Sequence, residues 1–191
     1  MTKQLLFIQG GGEGAYDADV KLAAHLQEVL GSGYEVCFPR MPEEDKPDYA
    51  AWKEQIIQYI ASRDGEVLLV GHSLGASFLL KYLSEVDTAN RIAGVFLVAS
   101  PYWGAEDWEV EEYALNEQFA SKLSKVHPLF FYHSRDDEWV PFAHLSLYAE
   151  KLPHAVIRPF DGRGHQFNND MTEVAQDIIS SDIISSDIDG Y

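Results

Sequence analysis

The sequence predicts an α/β protein in which helices pack on both faces of a parallel sheet. Two observations carry this. Short apolar runs recur along the chain, most of them apolar on consecutive positions, as in strands buried on both faces. Amphipathic stretches of helical period lie between them, and strands that alternate with helices at this spacing build parallel sheets through right-handed crossovers. A third observation bounds the answer. At 191 residues, with no linker rich in Pro, Gly or Ser, residues 1–191 read as one domain with a full core.

The strand candidates, in order, are QLLFIQ (4–9), YEVCFP (34–39), EVLLVG (66–71), GVFLVA (94–99), LFFYHS (129–134) and AVIRPF (155–160). The first helix candidate, DADVKLAAHLQEVL, sets Val20, Ala23, Ala24, Leu26 and Leu30 mostly along one stripe. The second, YAAWKEQIIQYIAS, does so with Trp52, Ile56, Tyr59 and Ile60. GASFLLKYLSEV, EEYALNEQFASKLSKV, FAHLSLYAEKL and MTEVAQDIISSDIIS supply the rest. The tail repeats Asp-Ile-Ile-Ser-Ser. Its start continues the last helix and its polar end, about 181–191, is expected to fray. Residues 100–119 break the regular beat, with Tyr102, Trp103, Trp108 and Tyr113 among five acids between 106 and 112. Two readings stand: an acidic helix face with its packing aromatics, or a short cap over a pocket.

Composition narrows the function classes. The net charge of −17 repels phosphate backbones, so nucleic acid is not an expected partner, and it disfavours a highly anionic substrate. No apolar run approaches the roughly 18 residues of a membrane span, and the N-terminus lacks the pattern of a signal peptide. The single Cys37 allows no internal disulfide and reads as a buried core thiol. A cytoplasmic protein is expected.

Two glycine-bearing stretches follow strand candidates. FIQGGGEGA (7–15) matches the G-x-G-x-x-A of a dinucleotide loop from Gly10. That fingerprint wants an acid at the end of the second strand, where this chain has Pro39 and Arg40. The second stretch is Gly71-His72-Ser73-Leu74-Gly75, a G-x-S-x-G between an apolar strand and a helix rich in Ala and Leu. This is the setting of a nucleophile elbow, a sharp turn that lifts the serine hydroxyl clear of the sheet. The flanking glycines avoid collisions across the turn, and the following helix points amide N–H groups at the reaction centre.

A serine hydroxyl needs a base. Of seven histidines, His165 in FDGRGHQF lies in a Gly-rich turn after the last strand, within reach of the sheet's end. His25 and His144 fall in helices, His72 supports the elbow, and His127, His133 and His154 border strands. His133 reads as a polar neighbour of the site. The base needs a carboxylate, and YHSRDDEWVPF offers Asp136 and Asp137. Asp137, which starts D-x-x-V-P, is the preferred of the two; its neighbour then caps the turn or faces water. The order Ser, Asp, His along the chain is that of the α/β-hydrolase triad.

With FIQGGGEGA, VGHSLGAS, LVASPYWG, SRDDEWVPF and GRGHQF in this order over residues 7 to 167, the chain resembles a small single-domain α/β-hydrolase. It is most similar to the serine hydrolases typified by retinoblastoma-binding protein 9 and the bacterial YdeN proteins. The resemblance implies a three-layer fold with a minimal cap and a mostly parallel six-stranded sheet in the order 2-1-3-4-5-6. The order reverses between strands 1 and 3, so their loops part there and leave a crevice. Two departures stand out. Many relatives have His-Gly after the first strand, where this chain has Gln9-Gly10, and the Leu-x-Cys-x-Glu motif tied to retinoblastoma binding is absent.

The expected activity is cleavage of carboxylic esters of small or medium acyl groups, without metal or organic cofactor. Ser73 attacks, His165 shuttles the proton and Asp137 orients His165. The backbone N–H groups of Leu74 and of Gly11 or Gly12 hold the oxyanion. Trp103, Trp108 and Trp139 are candidates to line an apolar substrate site. The rival expectation is a non-catalytic binding protein on the same scaffold.

Overall fold

The computed structural model describes residues 2–87, 91–105 and 107–188. Strands β1 (Lys3–Ile8), β2 (Tyr34–Cys37), β3 (Val67–His72), β4 (Ile92–Val98), β5 (Leu129–Ser134) and β6 (Val156–Phe160) form one sheet. Its order is β2-β1-β3-β4-β5-β6 and every pairing is parallel, which is the α/β-hydrolase order. The helices described are α1 (Ala15–Leu30), α2 (Tyr49–Ala61), α3 (Leu74–Glu85), α4 (Phe119–Leu123), α5 (Ala143–Lys151) and α6 (Thr172–Ile188).

The period-2 alternation of strand side chains divides the core into two layers. Leu6, Ile8, Leu69, Leu97 and Phe131 face α2, α3, α4 and α5, where Trp52, Ile56, Phe78 and Tyr148 meet them. Leu5, Phe7, Val70, Val98 and Tyr132 face α1 and α6, against Leu22, Leu26, Val174 and Ile178. β3 is buried along its whole length, while the edge strands β2 and β6 are largely half-buried or exposed. Cys37 therefore departs from expectation. It lies on edge strand β2 and is only half-buried.

Two further expectations change. The buried stripe of α1 is Asp19, Leu22, Ala23, Leu26 and Leu30; Val20 is 42% exposed and Ala24 faces outward. The stripe is rotated because a carboxylate, not a methyl group, is wanted inside. The helix expected over 111–126 shrinks to α4. Residues 111–118 are turns tied down from outside, with Lys81 Nζ donating to the Ala114 carbonyl at 2.6 Å and the Tyr113 hydroxyl to that of Pro47. Tertiary contacts here outweigh helix propensity. As expected, the start of the C-terminal repeat continues the last helix: α6 runs through Ile188, and residues 189–191 lie outside the described residues.

Candidate active site

The β3–α3 turn is built by its glycines. A Cβ on Gly71 would stand 2.6 Å from Ala76 Cα, and one on Gly75 2.6 Å from the Ile8 carbonyl oxygen. Neither approach tolerates a side chain, so the turn can close only with glycine at both places. Ser73 between them takes φ 53°, ψ −123°. A non-glycine residue there stores of order 1–3 kcal/mol of strain, which the surrounding packing sustains. The Ser73 amide donates to the Val98 carbonyl at 2.8 Å, and its hydroxyl makes no capping bond to α3. The hydroxyl is left free for another purpose.

Reversal of strand order brings the loop after β1 against this turn. A Cβ on Gly10 would lie 3.3 Å from Ser73 Cβ, and one on Gly11 would collide with the Leu74 side chain. The Gly10 amide donates to Asp19 Oδ2 at 2.8 Å and the Gly12 amide to the Glu44 carbonyl at 2.5 Å. The Gly11 amide has no acceptor among the described residues.

The loops after β5 and β6 meet across the same end of the sheet. Three consecutive amides of the second loop are held by the first: Arg163 by Ser134 Oγ at 3.0 Å, Gly164 by Asp136 at 3.2 Å and His165 by Glu138 at 3.0 Å. His165 Nδ1 then sits 2.9 and 3.0 Å from the two oxygens of Asp137. The Asp137 side chain is fully buried. It also accepts from the Trp139 and Val140 amides at 2.9 and 2.8 Å and faces His133 Nε2 at 3.2 Å. Burial alone would raise its pKa, but the hydrogen bonds from His133, His165 and Val140 hold it well below the usual carboxylate range. Burial pushes the His165 imidazole below its ordinary value; the Asp137 bond opposes this and the nearby His72 adds to it. Asp136 is exposed and caps the turn through Ser134 and Gly164. Of the two acids, only Asp137 touches His165.

Ser73, His165, Gly11, Gly12 and Leu74 all line one cavity of about 730 Å³. Trp103, Trp108 and Trp139 line it too, with Tyr113 and Pro47. Trp139 is 71% exposed at the mouth. Trp103 is fixed by its Nε1 donating to Ser77 Oγ at 2.9 Å, and the Trp108 ring packs edge-on against His144 at 5.1 Å. Residues 100–105 and 107–118 thus form a wall of turns and loops rather than a helix face. Among the described residues no hydrogen bond joins Ser73 Oγ to His165. Such contacts often tighten only with substrate in place.

A family model for serine hydrolases matches residues 22–171, most of the chain. The chain belongs to the serine hydrolase family. Among solved structures, the ydeN gene product of B. subtilis is 20% identical, with TM-score 0.78, over 94% of this chain and 98% of that one. A putative YdeN-like hydrolase from Pectobacterium atrosepticum is 19% identical (TM-score 0.69; 95% and 92% covered). A serine hydrolase of carbazole degradation, the CarC enzyme, is 17% identical (TM-score 0.73; 95% and 91% covered). At these identities the likeness speaks for the fold. No curated protein sequence matches the chain.

Two residues around this candidate site have roles that sequence reasoning does not reach. Gln9, fully buried, accepts from the Met41 amide at 2.9 Å and donates to Glu44 at 2.7 Å. It thereby pins the loop whose carbonyl engages Gly12. Asp19 is 1% exposed and accepts from the Gly10 amide of the loop after β1. Its signal in the sequence is an acid at the head of an otherwise apolar 3–4 spacing, visible once the stripe is read from Asp19 instead of Val20.

Proposed function

We propose that this serine hydrolase cleaves carboxylic esters of small or medium acyl groups through an acyl-enzyme. The Ser73 hydroxyl attacks the ester carbonyl while His165 Nε2 takes its proton. Asp137 fixes the tautomer by accepting from Nδ1 and stabilises the imidazolium that forms. The Leu74 and Gly11 amides bind the oxyanion. Gly11 is favoured over Gly12, whose N–H is committed to Glu44. His165 then returns the proton to the departing alcohol. A water molecule, deprotonated by the same ring, cleaves the acyl-enzyme and restores Ser73. None of these steps draws on a metal or organic cofactor.

The observation that carries this reading is the His165 imidazole, held by a buried carboxylate, in the cavity that the strained Ser73 faces. Two features support the substrate class. The wall is aromatic, and apart from its histidines the charged residues lining the cavity are the acids Glu13, Asp19 and Asp45, with no Lys or Arg among the described lining. Neutral esters suit such a site better than anionic ones. A cytoplasmic setting fits the single Cys37. A fluorophosphonate probe tests the chemistry: it is expected to label the wild type and spare Ser73→Ala, and equal labelling of both would sink the assignment. Aryl esters graded by acyl length test the substrate, and an optimum at long chains would refute it.

A further inference from the structure

A second imidazole lies beside the proposed base, and the mechanism above leaves it unused. His72 is 2% exposed, and its ring centroid is 4.8 Å from that of His165. Its Nδ1 lies 2.9 and 3.0 Å from the oxygens of Asp19, and its Nε2 lies 3.0 Å from the His165 carbonyl oxygen. Both ring nitrogens thus face acceptors. A neutral imidazole has one N–H, so either tautomer would set a bare lone pair against an oxygen. Only the imidazolium donates to both.

Asp19 supplies the counter-charge and does more. The same carboxylate accepts from the Gly10 amide at 2.8 Å and from Gln166 Nε2 at 2.7 Å. One side chain of α1 therefore ties together the residue before Gly11, the residue before Ser73 and the residue after His165. Burial opposes the His72 charge and Asp19 outweighs it, holding His72 above its ordinary value; Asp19 is lowered in turn, against its own burial.

We propose that Asp19 and His72 are a buried ion pair that positions the base. His72 holds the His165 main chain, and its positive charge keeps the His165 ring free to accept the Ser73 proton. This rests on the triad reading above. The charged and titratable groups that face His165 are Asp137 and Glu138 from the loop after β5 and His72 from β3. Those that face His72 are Asp19 from α1, His165 from the loop after β6, and Asp137. The two acids of the β5 loop favour a protonated His165, and His72 works against them. The pair acts on His165 through its positive member, the His72 ring 4.8 Å away, so its effect on His165 is that of a cation.

The test is nitrogen-15 NMR of the histidines in the full chain, alongside kinetics. In the wild type both nitrogens of His72 are expected in the imidazolium range at neutral pH while His165 is neutral. Asp19→Asn, which keeps the shape, is expected to neutralise His72 and raise the His165 midpoint. The rise is about one pH unit, as for two opposite charges at unequal distances in an effective dielectric of about 20. The acid limb of kcat/KM on an aryl ester should rise equally, with kcat down about tenfold or more and KM little changed. Glu138→Gln should move the midpoint the opposite way, which a merely structural role would not. A neutral His72 in the wild type, or an unmoved His165 midpoint in folded Asp19→Asn, overturns the proposal. Should Asp19→Asn not fold, the wild-type spectrum alone decides. Because NMR reads charge without turnover, a failed hydrolase assignment stays distinguishable from a failed ion pair.

Discussion

Replacing Asp137 by asparagine changes one atom and should remove nearly all activity. Every group around the carboxylate is a donor: His165 Nδ1 at 2.9 and 3.0 Å, His133 Nε2 at 3.2 Å, and the Trp139 and Val140 amides at 2.9 and 2.8 Å. Asparagine offers one acceptor oxygen. The two amides converge on Oδ1 and will keep it there, so the new NH₂ takes the place of Oδ2 and points at both imidazoles. With Oδ1 already taken by the two amides, His165 meets that NH₂ by moving its proton from Nδ1 to Nε2. The nitrogen meant to accept from Ser73 is then occupied. In the well-studied chymotrypsin-like triad this tautomer trap lowers kcat about 10⁴-fold, or about 5.4 kcal/mol of barrier. Stability should fall as well. Charge-assisted bonds to two imidazoles become neutral or unmade, a loss of about 2–3 kcal/mol, which lowers Tm by about 4–12 °C in a chain of this length. The sign with pH follows from the depressed Asp137 pKa. Its contribution is complete above the unfolded value near 3.9 and is lost as pH falls below it, so the Tm gap between the two proteins should close in acid. The assays are aryl-ester kinetics and thermal melts across pH. Retention of more than about a tenth of wild-type kcat would refute the tautomer argument, and an inactive Asp136→Asn beside an active Asp137→Asn would move the acid to its neighbour.

Gly11→Ala places a methyl group against the Leu74 side chain and 3.1 Å from Pro47 Cγ, beside the amides proposed to hold the oxyanion. Fluorophosphonate labelling should slow by about 10²-fold, with a loss of about 1–3 kcal/mol in stability from overpacking; an unchanged labelling rate would take Gly11 out of the oxyanion hole. Trp139→Ala removes a side chain that is 71% exposed, so Tm should move by no more than about 2 °C. KM for aromatic esters should rise about fivefold, the worth of one aromatic contact near 1 kcal/mol, and an unmoved KM would place the substrate elsewhere in the cavity.

What the sequence reveals and what it hides in this protein divide along a physical line. Strands and elbow are legible because their causes are local. β3 is apolar on consecutive positions since both its faces are covered, and Gly71 and Gly75 bracket Ser73 since a turn that tight admits no side chain at either place. The 111–118 turns are illegible because their causes are remote: the ammonium of Lys81 and the carbonyl of Pro47 decide a path that local propensity would make helical. Asp19 is the extreme case. Hydropathy assigns its place on the buried stripe to Val20, one position on, and every reason for the exchange lies elsewhere in the chain. Its donors come from residues 9, 53 and 147 positions away, namely Gly10, His72 and Gln166. An unpaired carboxylate there would cost several kcal/mol and would not persist. The helix can turn its acid inward only after β1, β3 and the loop after β6 have brought their donors to one point. The pair that steadies the site is therefore a product of the completed fold, and no window of sequence contains it.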